Sequence, residues 1–322
     1  MRRACAAAVV GLITLALIGG CEGQRQAREG EGSGRILRDA PPPYAEVAAR
    51  YNERLAPIKT LYAAGTVRLT YLDEERQKRE EQGDATLQVR LPDKLALSLK
   101  KAGKRLFWLG GNEEQYWWFD LVDGRRVMVG RHEFFDGGVR DRIGLAIHPL
   151  DLIRVLGILP LPTPEEGGGM TQWSDDGRLL GVTTRIRGGG YQRLWLDPER
   201  LEAEKIELFD AGQHPIVIAD LEMYDYIPIS GIGGGGPRVA KRIHVLDVPS
   251  GTEVRLTLDA PEEGTRRVSD DAFNFEALRR ALGADEVIDL DEPMRAGGEP
   301  GPGQRGPGML PVGLEALERS GD

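Results

Sequence analysis

The run RLPDKLALSLKKAGKRLFWLGGNEEQYWWFD (residues 90–120) decides how this chain folds. Leu95, Leu97 and Leu99 alternate with polar residues, the pattern of a strand with one face buried. RLFWLG (105–110) and QYWWFD (115–120) break that alternation, because they are apolar at consecutive positions. Successive residues of a strand point to opposite faces. Trp117 and Phe119 therefore line one side, Tyr116 and Trp118 the other, and this part of the sheet has to be covered on both.

The same period of two recurs on either side of this run. It is present in TVRLTYL (66–72) through Val67, Leu69 and Tyr71, and in ATLQVRL (85–91) through Leu87, Val89 and Leu91. Asp123-Gly124 before RRVMVG signals a hairpin. After residue 178 come LLGVTTRI, YQRLWLD, AEKIELFD, PIVIADLEMYDYIPI, RVAKRIHVLD and TEVRLTLDA, separated by turns such as Asp176-Gly177, Asp197-Pro198 and Ser250-Gly251. Three stretches read as helical. Tyr44 to Leu61 carries Tyr44, Val47, Tyr51, Leu55 and Ile58 on one stripe. IHPLDLIRVLGIL (147–159) is stopped by Pro160, Pro162 and Pro164. DAFNFEALRRALG (271–283) is a short helical or turn segment. Many short strands in hairpins, with two or three helices among them, predict one antiparallel α+β domain.

The ends have another character. Arg2 and Arg3 precede an apolar segment from Ala6 to Ile18, too short to span a bilayer and of the right length for a secretory signal. It ends in Ile18-Gly19-Gly20-Cys21, which resembles the bacterial lipobox, cut before a cysteine that becomes acylated. Residues 1–20 are thus expected to be a signal peptide, and their loss removes Arg2 and Arg3, taking the net charge from −9 to −11. Cys5 leaves with the signal and Cys21 carries lipid, so no thiol remains for a disulfide, metal site or nucleophile. Glu22 after the cysteine resembles an outer-membrane sorting signal, which predicts a lipid-anchored protein facing the periplasm. Residues 21–43 read as the lipidated cysteine and a flexible tether spanning about 25 Å, residues 44–292 as the folded domain, and residues 293–322 as a disordered Gly/Pro-rich tail.

Several chemistries lack their residues. No clustered basic stripe marks a nucleic-acid partner. Gly231, Gly233 and Gly236 form a literal G-x-G-x-x-G, but a strand-like PRVAKRIHVLD follows instead of the helix that pyrophosphate binding requires. His132, His148, His214 and His244 are scattered without metal-ligand spacing. WSDDGR (173–178) lacks the ligands that would complete a calcium loop. Neither a cofactor nor catalysis is expected.

Four stretches give the chain a family likeness: IKTLYAAGTVRLTY (58–71), the run 90–120, RLWLDPERLEAEKIELFDAGQHPIVIADLEMY (193–224) and DDAFNFEALRRALGADEVIDL (270–290). Pro92, Gly111, Trp117, Phe119 and Asp120 fall on one motif, Asp210 and Gln213 on another, and Phe273 and Phe275 on a closing Phe-x-Phe. Across about 45–292 the chain resembles the LolA/LolB superfamily of periplasmic lipoprotein carriers and receptors. The resemblance implies a curved antiparallel sheet of about ten or eleven strands, an unclosed half-barrel with helices covering its concave face. It also implies a groove for the acyl chains of a lipid or lipoprotein. The groove residues expected are Val67, Leu69, Leu87, Val89, Leu97, Phe107, Trp117 and Phe119. Tyr116 and Trp118 would then face outward, under the 160–170 loop, the C-terminal tail or a partner. The turn KKAGK (100–104) is basic and lacks the apolar tip by which LolB passes lipoproteins to the membrane. An alternative is a filled core in a non-catalytic interaction lipoprotein that binds a periplasmic protein partner.

Overall fold

A computed structural model describes residues 36, 38–72, 76–122, 125–135, 150–229 and 236–292. Among these, fourteen strands form one sheet. They are β1 (Thr60–Leu72), β2 (Lys78–Arg90), β3 (Lys94–Lys101), β4 (Lys104–Gly111), β5 (Gln115–Asp120), β6 (Arg126–Arg131), β7 (Gly169–Trp173), β8 (Leu180–Arg185), β9 (Tyr191–Leu196), β10 (Ala203–Phe209), β11 (Pro215–Tyr226), β12 (Arg238–Asp247), β13 (Thr252–Glu262) and β14 (Glu286–Asp289). The order is β14-β6-β5-β4-β3-β2-β1-β13-β12-β11-β10-β9-β8-β7.

Two meanders thus meet where β1 pairs with β13, with Val67 opposite Leu256 and Gly65 opposite Leu258. The sheet is curved and unclosed, with β14 and β7 at its edges, and strands of both arms feed one core. The count exceeds the expected ten or eleven. β7 lies in a Gly-rich stretch without clear alternation, and β14 has only four residues. β14 also pairs parallel to β6, so the sheet is not purely antiparallel.

α1 (Tyr44–Leu55) buries Val47, Tyr51 and Leu55 on one side of the sheet, called the inner face below. It ends six residues short of Leu61, because Pro57 lacks an amide hydrogen and clashes with a helical continuation. α2 (Asp151–Val155) is also shorter than the periodicity over 147–159 predicted, and residues 147–149 lie outside the described ones. Gly157 takes φ 68°, a left-handed conformation that ends a helix. The chain beyond it runs extended against α1. Tyr51 donates its hydroxyl to the Gly157 carbonyl at 2.9 Å, and Tyr44 donates to that of Pro162 at 2.6 Å. Asn52 Nδ2 donates to the Leu161 carbonyl at 2.9 Å while the Leu161 amide donates to Asn52 Oδ1 at 2.7 Å. Ile153, Ile158 and Leu161 are fully buried beneath these ties.

α3 (Phe275–Leu282) departs from the expectation that every helix covers the concave side. It lies on the opposite, outer face. The Asn274 side chain accepts from the Ala277 amide at its start, and Gly283 at φ 64° closes its end. With the short turn Asp270–Phe273, it places Phe273, Phe275 and Leu278 over Trp108, Trp117 and Phe119. The Phe275 ring centroid lies 5.9 Å from that of Trp117 and 6.1 Å from that of Phe119.

Ile36 and Arg38 to Pro43, the end of the expected tether, lie along β7 and its turn. The Ile36 amide donates to Asp176 O (2.8 Å), Trp173 Nε1 to Asp39 O (2.8 Å) and Thr171 Oγ1 to Pro42 O (2.7 Å). An edge strand left bare invites pairing with another chain, and these contacts cover it. In the same place WSDDGR forms the β7–β8 turn, where Ser174 donates to Asp176 Oδ1 at 2.6 Å.

The meeting of the two arms yields a direct test. A Cβ on Gly65 would sit 2.1 Å from the Thr257 carbonyl oxygen, a backbone atom that has to move with its strand. Gly65→Ala is expected to destabilise by about 2–3 kcal/mol, as overpacking does, read as a lowered urea midpoint. An unchanged midpoint would refute the close approach.

Candidate functional site

The inner face can be followed across the first arm as one row of opposed residues: Ala63, Leu87, Leu97, Leu109, Trp118, Met128 and Ile288. Opposed residues share a face, so Trp118 stands with Leu87 and Leu97. Trp117 belongs to the other row, with Ala96, Gly110 and Val129, and Phe119 lies opposite Trp108 and Val127.

The structure therefore brings six of the eight expected groove residues to one face: Val67, Leu69, Leu87, Val89, Leu97 and Phe107. It separates Trp117 and Phe119 from them. Both are 0% exposed in the core under α3, and the Trp117 indole lies against Gly110, where a Cβ would meet Nε1 at 2.3 Å. Tyr116 and Trp118, expected outside, are inside. The register of the β4–β5 hairpin is the reason. It pairs odd-numbered β4 positions with even-numbered β5 positions, a parity that the count of residues along each strand does not reveal.

Burial grades along the six. Val89 is 0%, Leu87 3% and Val67 7% exposed, buried in the core that they share with α1 and the chain after α2. Leu69 is half-buried near the far end of β1, opposite Val254. Leu97 and Phe107 are half-buried and adjoin half-buried Trp118. The rings of Phe107 and Trp118 stack at 4.8 Å between centroids with 16° between planes. Leu97, Phe107 and Trp118 thus form a continuous apolar patch that α1 does not close. Trp118 was missed as a candidate, and the signal that would have found it is hairpin register.

What covers Tyr116 also differs from expectation. Its ring packs 5.6 Å from that of His132 and 5.4 Å from that of Phe135, with Leu290 and Met128 in the same cluster, which Trp118 adjoins. The chain after β14 is pinned there, since the Leu290 amide donates to Val129 O (2.8 Å) and the Arg131 amide donates to both carboxylate oxygens of Asp291 (3.1 Å each). The 160–170 loop is not part of that cluster.

Polar groups flank the inner face without interrupting the patch. Arg238 Nη1 donates to Glu202 Oε1 at 2.7 Å, Tyr224 donates to the Ala203 carbonyl at 2.6 Å, and Arg54 Nη1 donates to the Arg238 carbonyl at 3.1 Å. The Nε and Nη2 atoms of Arg54 are buried without an acceptor. Burial pushes the hydroxyls of Tyr51 and Tyr224 above their usual range, and burial together with Glu166 takes Tyr44 up to about 12. These phenols stay neutral at physiological pH, so they add no charge beside the apolar surface.

Other candidates resolve as structure. His132 Nε2 donates to Asn112 O at 2.6 Å, while His214 and His244 sit 3.4 and 3.2 Å from Asp210 and Glu253 carboxylates. His148 lies outside the described residues. Among the described residues no cluster of three or more His, Cys, Asp or Glu side chains could hold a metal ion. Gly231 and Gly233 also lie outside them, and β12 rather than a helix follows Gly236. A cleft of about 430 Å³ opens between the β4–β5 turn and the start of α3, walled by Arg90, Lys94, Glu113, Glu114, Asp270 and Glu276 among others. Lys94 pairs with Glu113, and Arg90 with Asp270, so its charges are largely matched internally. No helix among the described residues is long and apolar enough to cross a membrane.

No protein-family model and no curated protein match the sequence. Solved structures do. A LolA superfamily protein from Nitrosomonas europaea is 15% identical, with 73% of this chain and 99% of that one covered and a TM-score of 0.46. A domain named for outer membrane lipoprotein sorting, from Vibrio parahaemolyticus, is 11% identical over 72% of this chain and 98% of its own, with a TM-score of 0.46. A DUF1329 family protein from Desulfovibrio piger is 10% identical over 73% of this chain and 97% of its own, with a TM-score of 0.50. At 10% identity and a TM-score of 0.50, the likeness to the Desulfovibrio piger protein is one of fold alone. The curved, unclosed sheet that the LolA/LolB resemblance implied is the architecture observed.

Proposed function

We propose that this chain is a non-enzymatic, membrane-anchored lipoprotein of the periplasmic side that holds acyl chains of a lipid or lipoprotein against the inner face of its half-barrel. In this reading Cys21 is acylated and fixes the protein to the outer membrane, and the groove serves lipid or lipoprotein localisation. The observation that carries it is the half-open apolar patch of Leu97, Phe107 and Trp118, beside buried Val67, Leu87 and Val89. A methylene moved from water onto such a surface contributes about 0.8 kcal/mol. A stretch of ten carbons therefore supplies several kcal/mol after the cost of ordering it. Val67, Leu69, Leu87 and Val89 extend the same face; Leu69 is half-buried, whereas Val67, Leu87 and Val89 become ligand contacts only where the core around them gives way.

The closed state of Val67, Leu87 and Val89 favours a second reading, a filled half-barrel that acts through a periplasmic protein partner. One comparison separates the two. Native mass spectrometry of the purified protein is expected to show co-purifying lipid. Phe107→Glu places a charge in the half-buried patch and should abolish that lipid while leaving the melting temperature within a few degrees. Trp117→Ala, in the core under α3, should cost about 3–5 kcal/mol and leave the lipid per folded molecule unchanged. Lipid absent from every preparation, or retained by Phe107→Glu, would sink the groove. The anchor is tested separately. Cys21→Ser is expected to end incorporation of labelled palmitate and leave the precursor uncut, and continued labelling would overturn the assignment.

A further inference from the structure

A second cleft of about 430 Å³ lies on the outer face at the C-terminal end of α3, walled by Arg105, Arg125, Arg280, Leu121, Ala281, Leu282 and Gly283. Among the described residues its charged lining is three arginines with no acid. About half of the other arginines among the described residues have a carboxylate partner, as Arg126 has Asp120, Arg154 has Asp151 and Arg238 has Glu202. Arg105, Arg125 and Arg280 make no ion pair among the described residues. This cationic cleft stands out in a protein whose net charge is −9.

The three arrive from different elements. Arg105 is on β4, with its guanidinium 5.0 Å from the Trp108 ring centroid and its Nε buried without an acceptor. Arg125 enters β6 at φ 51°, a left-handed conformation that costs a non-glycine residue free energy. Arg280 is in the last turn of α3 and donates from Nε to the Glu276 carbonyl at 3.2 Å. The negative end of a helix dipole accounts for an arginine at that place. It does not account for the other two. Burial with no opposing charge pulls the Arg105 guanidinium below its usual range, and arginine nevertheless stays protonated. An anion in the cleft would relieve both the mutual repulsion and the orphaned donor. Guanidinium forks match the oxygens of a phosphate, and Leu121 and Leu282 supply an apolar wall beside it.

We propose that the Arg105–Arg125–Arg280 cleft binds a phosphate group, taken from a phospholipid headgroup or from free phosphate, independently of the inner-face groove.

The test is a calorimetric titration of the full chain in neutral detergent. One probe is inorganic phosphate, the other dihexanoyl phosphatidylglycerol below its micelle concentration. Saturable one-to-one binding of at least one probe is expected. The double variant Arg125→Gln/Arg280→Gln, altering two exposed side chains, should weaken it at least tenfold. Arg242→Gln/Arg255→Gln, on the outer face of β12 and β13, should not change it. Equal affinity for the two probes assigns the site to free phosphate, and at least tenfold tighter binding of the lipid assigns it to a headgroup. Absence of saturable binding by both probes overturns the proposal. So does wild-type affinity in the first double variant, or an equal loss in the second.

Discussion

Everything in this molecule depends on the pairing of β1 with β13. Each arm is a meander of short hairpins, which are local and inexpensive in loop-closure entropy. Neither arm closes a core alone. Joining them brings Val67 against Leu256 across most of the chain's length, and only then do both arms share one apolar face. Gly65 permits the approach, since a side chain there would meet the Thr257 carbonyl. α1 feeds directly into β1 and is tied by its side chains to the chain after α2, so inner face, helix and seam form as one unit.

The first arm carries a second constraint. Its outer face is covered by α3 and the inner face of the same strands by the shared core, so β4 and β5 are apolar at consecutive positions. Among the described residues the second arm is covered inside, and its outer face carries pairs such as Trp195 Nε1 to Glu207 and Arg193 beside Glu207. The two proposed sites follow this division. The apolar patch lies inside, where α1 stops short of β4 and β5, and the arginine cleft lies outside, where α3 ends.

Much of this was legible in the residues. Alternation located β1 to β3, because a half-buried strand cannot avoid a period of two, while consecutive apolar residues marked β4 and β5 and turn signals set off β6 and β8 to β13. The stripe of Tyr44, Val47, Tyr51 and Leu55 marked α1, and QYWWFD announced a strand covered on both sides. What failed did so for physical reasons. β7 and β14 are short and sit at edges, where burial imposes little pattern. The two helices ended early because Pro57 and Gly157 overrode the apolar period. Trp117 and Phe119 were placed on the wrong side because hairpin register, not numbering, sets which residues of neighbouring strands share a face.

The sequence by itself determined twelve of the fourteen strands, the α+β class and the need for two covers over residues 105–120, since these follow from local period, turn chemistry and composition. Only the tertiary structure decided which cover lies where. That choice depends on register across β4 and β5, on the long-range seam and on the return of α3 to the outer face. None of these is encoded in a short window of residues. The same holds for the candidate sites: Leu97, Phe107 and Trp118 on one face, and Arg105, Arg125 and Arg280 on the other, are neighbours only because folding brings separate elements together.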